Sequence, residues 1–259
     1  MNLPRLSELA LELIKIPSVT GNETKITDHL QQWAEKLDKF PTDLIFRLGN
    51  GLILGRPDGE RPCLALVGHT DTVPPHAGDP EPHIEGDKLT GLGASDMKSS
   101  LAIMQLLCEE LNLATLPFCL VLVFYDKEEG PFVDNGLQPL LDAYPWLAEI
   151  DLAIAMEPTD NTLQLGCLGG LQAYVRIDGQ AAHSARPWQG ENAIHKAGPL
   201  LNKLLNRSYP EVEVDGLVFR NCMSATLAEG GRAKNVVPEL FEMNINYRFA
   251  PTLPISAAI

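Results

Sequence analysis

Short, unbroken apolar runs separated by stretches of helical period set the pattern of this chain. Residues 63–67, in C-L-A-L-V-G-H-T-D, residues 118–125 (F-C-L-V-L-V-F-Y) and residues 152–156 (L-A-I-A-M) are short and apolar throughout. That pattern predicts strands covered on both faces, as in a mostly parallel sheet. Helical spacing lies around them. Leu6, Leu9, Ala10, Leu13 and Ile14 form one stripe that ends before Pro17, residues 28–37 form a second helix, and a third starts at Asp96 and runs to about residue 112. The G-N-G at 49–51 turns a hairpin between residues 44–48 and 52–54. Pro74, Pro75, Pro80 and Pro82 make a loop, and E-G-D-K at 85–88 a short hairpin. After about Gly166 the texture changes. A strand over 173–179, a helix over 192–205, a strand around 224–229 and the alternating E-M-N-I-N-Y-R of 242–248 give an α+β pattern in place of another βα unit. The expectation is an α/β domain over residues 1–166 and a smaller α+β domain over 167–259.

Polar residues with metal-binding capacity stand where the apolar runs stop. His69 and Asp71 follow the first run; residues two apart on an extended chain share a side, so Asp71 can take one imidazole proton and leave the other nitrogen free for a metal. Glu128 and Glu129 follow the second run and Glu157 the third. Any one of these also fits a solvated loop, and Asp96 also fits a helix cap. Together they mean more, because in open α/β sheets the crevice at the carboxyl ends of the strands holds the ligand, and several carboxylates there cannot all stay ionised without a cation. One histidine with carboxylates suits zinc, cobalt or manganese, with positions left open for water. Adjacent glutamates on an extended chain cannot both face one ion, so one ligates and the other is free as a general base.

Composition narrows the classes of function. The 259 residues are 45% hydrophobic, enough for a sizeable core, and 34 acidic against 20 basic residues give a net charge of −14. That balance disfavours nucleic acid and anionic membranes as partners. It leaves room for an anionic substrate, since a metal and a few arginines invert the field locally. Cys63, Cys108, Cys119, Cys167 and Cys222 are odd in number and scattered, the pattern of reduced thiols in a cytoplasmic protein. Glu8 and Glu12 interrupt what would otherwise pass for an amino-terminal signal sequence, and no run is long enough to span a bilayer.

The ordered series G-H-T-D-T-V-P, G-A-S-D-M-K-S, Y-D-K-E-E-G, M-E-P-T, A-A-H-S-A-R-P-W-Q-G-E-N-A-I and N-V-V-P resembles the M20 family of metal-dependent amidohydrolases and peptidases, from about Ile16 to Arg248. The resemblance implies a catalytic domain with an inserted lid, two zinc ions per subunit, or cobalt, and hydrolysis of a small acyl-amino-acid substrate. It implies that His69 and Glu157 bind one ion, Asp96 bridges both and Glu129 binds the second, while Asp71 orients His69 and Glu128 is the general acid/base. It further implies that the lid forms a homodimer, that His183 reaches the partner's site to stabilise an oxyanion, and that Asn235 and Arg248 hold substrate polar and carboxylate groups. Without it, His183 and Arg248 read as surface residues. Members of the family continue for roughly a hundred residues more and supply a second ligand histidine; here the chain stops at P-I-S-A-A-I, so the lid is expected to be incomplete, and His29, His76, His83 and His195 have no matching context. Two classes of function follow: an amide hydrolase, indicated by Glu128 and the ligand positions, and a non-catalytic metal-binding dimer, indicated by the early stop.

Overall fold

The computed structural model describes residues 2–258, Ile255 in its backbone only. It divides into two compact units, Met1–Asn161 and Thr162–Ile259.

In the first unit, α1 (Leu3–Ile14) opens on a side-chain cap from Asn2 and buries Leu9, Ala10, Leu13 and Ile14, the stripe the sequence marks. Helix α2 (Thr24–Leu37) starts four residues earlier than periodicity indicates, because Ile26 and Thr27 already face the core. Strands β1 (Ile45–Leu48) and β2 (Gly51–Leu54) form the hairpin around Gly49 and Asn50. Then come β3 (Cys63–His69), the small hairpin of β4 (His83–Glu85) and β5 (Lys88–Thr90), α3 (Ser99–Glu110), β6 (Cys119–Tyr125), α4 (Leu137–Ala143) and β7 (Leu152–Ala155). The central sheet has the order β1-β2-β6-β3-β7, with β2 alone running against the other four.

Strand alternation sends Leu66, Leu122 and Phe124 to a core beneath α1, α2 and α3. Ala65, Val121 and Val123 go to the other face, with Leu140 and Leu147. Both faces of β3 and β6 are therefore dry, which is why these strands read as continuous apolar runs. The third run differs from expectation. Strand β7 is mostly exposed, Leu152 at 59%, because it pairs only with β3 at the sheet's edge; Ile154 alone of its residues is half-buried, against the core. Each burial on the scale of Leu13 or Phe124 contributes roughly 1.5–3 kcal/mol, so the stability of this unit is concentrated in β2, β3, β6 and the three helices.

In the second unit, β8 (Gly169–Asp178), β12 (Leu240–Phe249) and β11 (Cys222–Gly230) make an antiparallel sheet of order β11-β12-β8. Helix α5 (Ala193–Leu205), capped by the Asn192 side chain, lays Ala193 and Ala197 on Phe241, Met243 and Ile245. The opposite face of that sheet is open, with Tyr174 85% exposed. A further hairpin, β9 (Glu211–Val214) and β10 (Leu217–Arg220), turns at Asp215 and Gly216, both at positive φ (51° and 81°). An Asp-Gly pair between alternating apolar residues is the sequence signature of such a turn.

Candidate metal centre

Strands β6, β3 and β7 are neighbours, and their carboxyl ends deliver the candidate ligands to one place. His69 is the last residue of β3 and is 1% exposed. Its backbone N–H donates to Met97 Sδ (3.1 Å), and Gly68 leaves the room this requires, since a Cβ there would lie 2.7 Å from Met97. Neither contact is announced by the sequence, because it joins residues 28 positions apart.

The imidazole is held at both nitrogens. Nδ1 lies 3.1 Å from the Asp71 carbonyl oxygen and 3.3 Å from its Oδ1. Nε2 points the other way, 3.0 Å from Asp96 Oδ1 and 3.9 Å from Glu157 Oε2. Burial alone would lower the imidazole pKa; the hydrogen bonds to Asp71 and Asp96 and the Glu157 charge outweigh it and lift the value to about 9. The carboxylates around the ring thus favour positive charge at this point.

Asp71 does more than hold the ring. Its buried carboxylate accepts the Glu128 N–H (2.9 Å), the Glu129 N–H (3.1 Å) and the Thr20 hydroxyl (2.9 Å). Desolvation works against the charge; His69, the two amides and Thr20 overcome it and hold Asp71 below the usual carboxylate range. One side chain therefore ties the end of β3 to the turn after β6. Residues 18–20 strap the same segment, with the Ser18 hydroxyl donating to the Thr70 carbonyl and the Thr72 N–H to the Ser18 carbonyl.

Two details depart from expectation. Asp96 does not cap a helix: α3 begins at Ser99, and Asp96 sits three residues earlier at φ −124° and ψ 101° with its carboxylate toward His69. Adjacent glutamates diverge only on extended chain, and the chain here is not extended. Lys127 is left-handed (φ 58°) and the next two residues turn, so His69, Glu128 and Glu129 bring ligand atoms within 4.8 Å of one another. His69, Asp96 and Glu157 form a second such group. Among the described residues, His69 is the histidine of both groups.

Burial and then neighbouring carboxylates, Asp96 first among them, raise Glu129; burial raises Glu157 too, His69 lowers it in part, and Asp96, Glu128 and Glu129 raise it further. A cluster that resists its own charge, built from carboxylate oxygens around one imidazole nitrogen, fits divalent cations of the zinc, cobalt and manganese type. Such a cation would take the place beside His69 Nε2 and among the Asp96 and Glu157 oxygens.

The remaining candidates lie in the second unit. His183 pairs with Val236 in an isolated bridge, and the Ser184 N–H donates to the Asn235 carbonyl (3.0 Å), so His183 and Asn235 are neighbours. His183 is exposed; its Nδ1 accepts the Ala185 N–H (3.1 Å), which in the neutral ring leaves the proton on Nε2. Arg248 is elsewhere. It sits near the far end of β12, opposite Gly170, eight residues or roughly 26 Å along the strand from the Leu240 end that leads toward Asn235.

Comparisons with known proteins agree with this architecture. Residues 166–258 match the peptidase dimerisation domain. The succinyl-diaminopimelate desuccinylase of Corynebacterium glutamicum is 38% identical over 253 residues, 97% of this chain and 68% of that protein. Among solved structures, an M20 family metallo-carboxypeptidase from Sulfolobus solfataricus superposes with a TM-score of 0.72 at 16% identity, covering 95% of this chain and 71% of its own. A Bacillus subtilis protein described as a dinuclear metal-binding peptidase of the same family gives 0.59 at 16% identity, covering 98% and 66%. The chain belongs to the M20 family of metal-dependent hydrolases, enzymes that act on amide bonds.

Proposed function

We propose that this protein is a cytoplasmic homodimer that cleaves the succinyl amide of N-succinyl-LL-2,6-diaminopimelate, releasing succinate and LL-diaminopimelate for lysine and cell-wall synthesis. The observation that carries this reading is the gathering of His69, Glu128, Glu129 and Glu157, from the ends of three neighbouring strands, with Asp96, from the segment before α3, in a chain 38% identical to a desuccinylase.

In this reading His69 and Glu157 would hold one zinc or cobalt ion, Glu129 a second, and Asp96 would serve both. The metals, when bound, supply Lewis acidity toward the amide carbonyl and toward water. Asp71 keeps the His69 ring in place through Nδ1 and fixes the Glu128 and Glu129 backbone through its two oxygens. Glu128 is the more exposed of the glutamate pair and so the one open to water. Its carboxylate takes a proton from the attacking water and returns it to the leaving amine nitrogen. His183, from the lid of the second copy, offers its Nε2–H to the oxygen that gains charge in the transition state. Asn235 and Arg248 hold substrate polar and carboxylate groups. The wide separation of Arg248 from His183 along one lid supports their serving different ends of a substrate or different subunits.

The test supplies zinc to the protein and measures succinate release from N-succinyl-LL-2,6-diaminopimelate beside other N-acyl amino acids. Turnover of the others without the succinyl substrate would overturn the substrate assignment. Calorimetry adds a metal count: with one imidazole shared by two groups, one zinc is expected to bind more tightly than the second, and two equally tight ions would overturn the ligand assignment.

A further inference from the structure

Beside the metal centre, and wholly within the first unit, lies a cleft of about 630 Å³ that Asp96 and Glu129 share with the β4–β5 hairpin and the loop that follows it. Its lining is that of an anion receptor on one side. Lys88, on β5, is the cation among the lining residues, and none of the ion pairs among the described residues involves it. Thr90 and Ser95 add hydroxyls. Between them the chain passes through Gly91 and Gly93 at positive φ (151° and 76°), and the Leu92 and Gly93 backbone N–H groups have no hydrogen-bond acceptor among the described residues. Successive free amides in a glycine-bracketed turn make a concavity that favours an anion, and a lysine beside it supplies full charge. Two lining carboxylates are candidate metal ligands, and the third, Asp79, already accepts the His76 N–H (2.8 Å).

We infer that this cleft receives a carboxylate of the substrate, with Lys88 as its charged partner and the Leu92–Gly93 amides as its neutral donors. This rests on the hydrolase reading above and names the element that selects an anionic substrate arm. A chain of net charge −14 needs such a device, because its mean field repels an anionic substrate. Metal ions held by Asp96 and Glu129 would turn the inner end of the cleft positive, toward an anionic arm of the substrate.

The carboxylate has two sources, the acyl chain and the amino-acid moiety, and three substrates separate them. N-succinyl-LL-2,6-diaminopimelate carries both kinds, N-butyryl-LL-2,6-diaminopimelate lacks the one on the acyl chain, and N-succinyl-1,5-diaminopentane lacks those on the amine. Lys88→Met is expected to raise KM about tenfold, the lower range for a hydrogen bond to a charged group, for every substrate bearing the carboxylate that Lys88 reads. Its kcat should stay within about twofold, since the carboxylate is bound alike in ground and transition states. Lys88→Arg should restore KM. The substrate whose KM does not move identifies the source; a KM unmoved by the substitution on all three, or raised on all three, overturns the inference. Titration of ¹³C-labelled succinate and butyrate into the zinc-loaded protein, followed by NMR, reads the cleft without turnover. Binding about tenfold weaker in Lys88→Met supports the cleft, and unchanged binding overturns it. If the wild-type chain hydrolyses none of the amides, the functional reading fails, while this titration still decides the carboxylate site.

Discussion

The two units solve the same problem, how to present chemistry from a sheet, in opposite ways. In the first unit β3 and β6 are covered on both faces, and the candidate ligands other than Asp96, which stands in the irregular segment before α3, sit at a strand end or in the turn just beyond it. Backbone exits from a rigid core fix those side chains, and buried hydrogen bonds to Asp71 fix them further. In the second unit one helix covers one face of a three-stranded sheet, and the candidate substrate residues stand exposed on its strand and loops. A two-sided core suits a constellation that must hold charges a few ångströms apart. A one-sided sheet leaves surface for other molecules.

That contrast can be tested from its chemically sharpest point outward. Glu128→Gln, in the first unit, should lower kcat by roughly 10²–10⁴-fold, the range for a positioned acid or base, while the bound metal measured by atomic absorption is unchanged. Near-normal turnover would remove Glu128 from the mechanism. His183→Ala, in the second unit, should lower kcat on the order of 10²-fold with little change in KM, as for an oxyanion donor. Mixing inactive Glu128→Gln and His183→Ala chains should restore part of the activity if His183 acts on the other subunit's site. A mixture that stays inactive despite demonstrated subunit exchange would show that it does not.

Stability should divide the units as well. Leu13→Ala, at a fully buried site, should cost roughly 2–5 kcal/mol in urea unfolding. Leu227→Ala, 68% exposed on the lid sheet, should fall within about 0.5 kcal/mol of the parent. A comparable cost at both sites would mean that the lid surface is covered in solution. The smallest expected effect is one of pH. Glu109 is held below the usual glutamate range chiefly by the Arg5 guanidinium, which meets it at 2.9 Å through both Nε and Nη2. A depressed carboxylate pKa stabilises the fold above the unfolded value of about 4.3, and the contribution disappears as the pH falls from there through the folded value. Glu109→Gln should therefore lose stability at pH 7 and flatten the acid limb of a Tm-against-pH curve. An unchanged slope would mean that Arg5 and Glu109 are uncoupled.

Much of this was legible in the order of residues. Apolar runs at 63–67 and 118–125 announced strands buried on both faces, because only such strands can dispense with polar residues on either side. The motifs then placed His69, Asp71, Glu128, Glu129 and Glu157 at or near strand ends and Asp96 at the start of a helix. What the chain could not state locally was decided by packing. Whether L-A-I-A-M lies in the centre or at the edge depends on which neighbours β7 acquires, and it acquires one. Whether adjacent glutamates diverge or converge depends on the left-handed turn at Lys127, and that Arg248 lies far along β12 from His183 follows from strand register. The donor to Met97 Sδ, the Thr20 hydroxyl on Asp71 and the open amides of the Leu92–Gly93 turn are equally contacts or vacant donors that arise only when segments distant in the chain are folded together. Periodicity and residue type are properties of neighbours along the chain, so the sequence determined the elements and their chemistry. Edges, registers and the convergence of charges are properties of neighbours in space, and only the tertiary structure decided them.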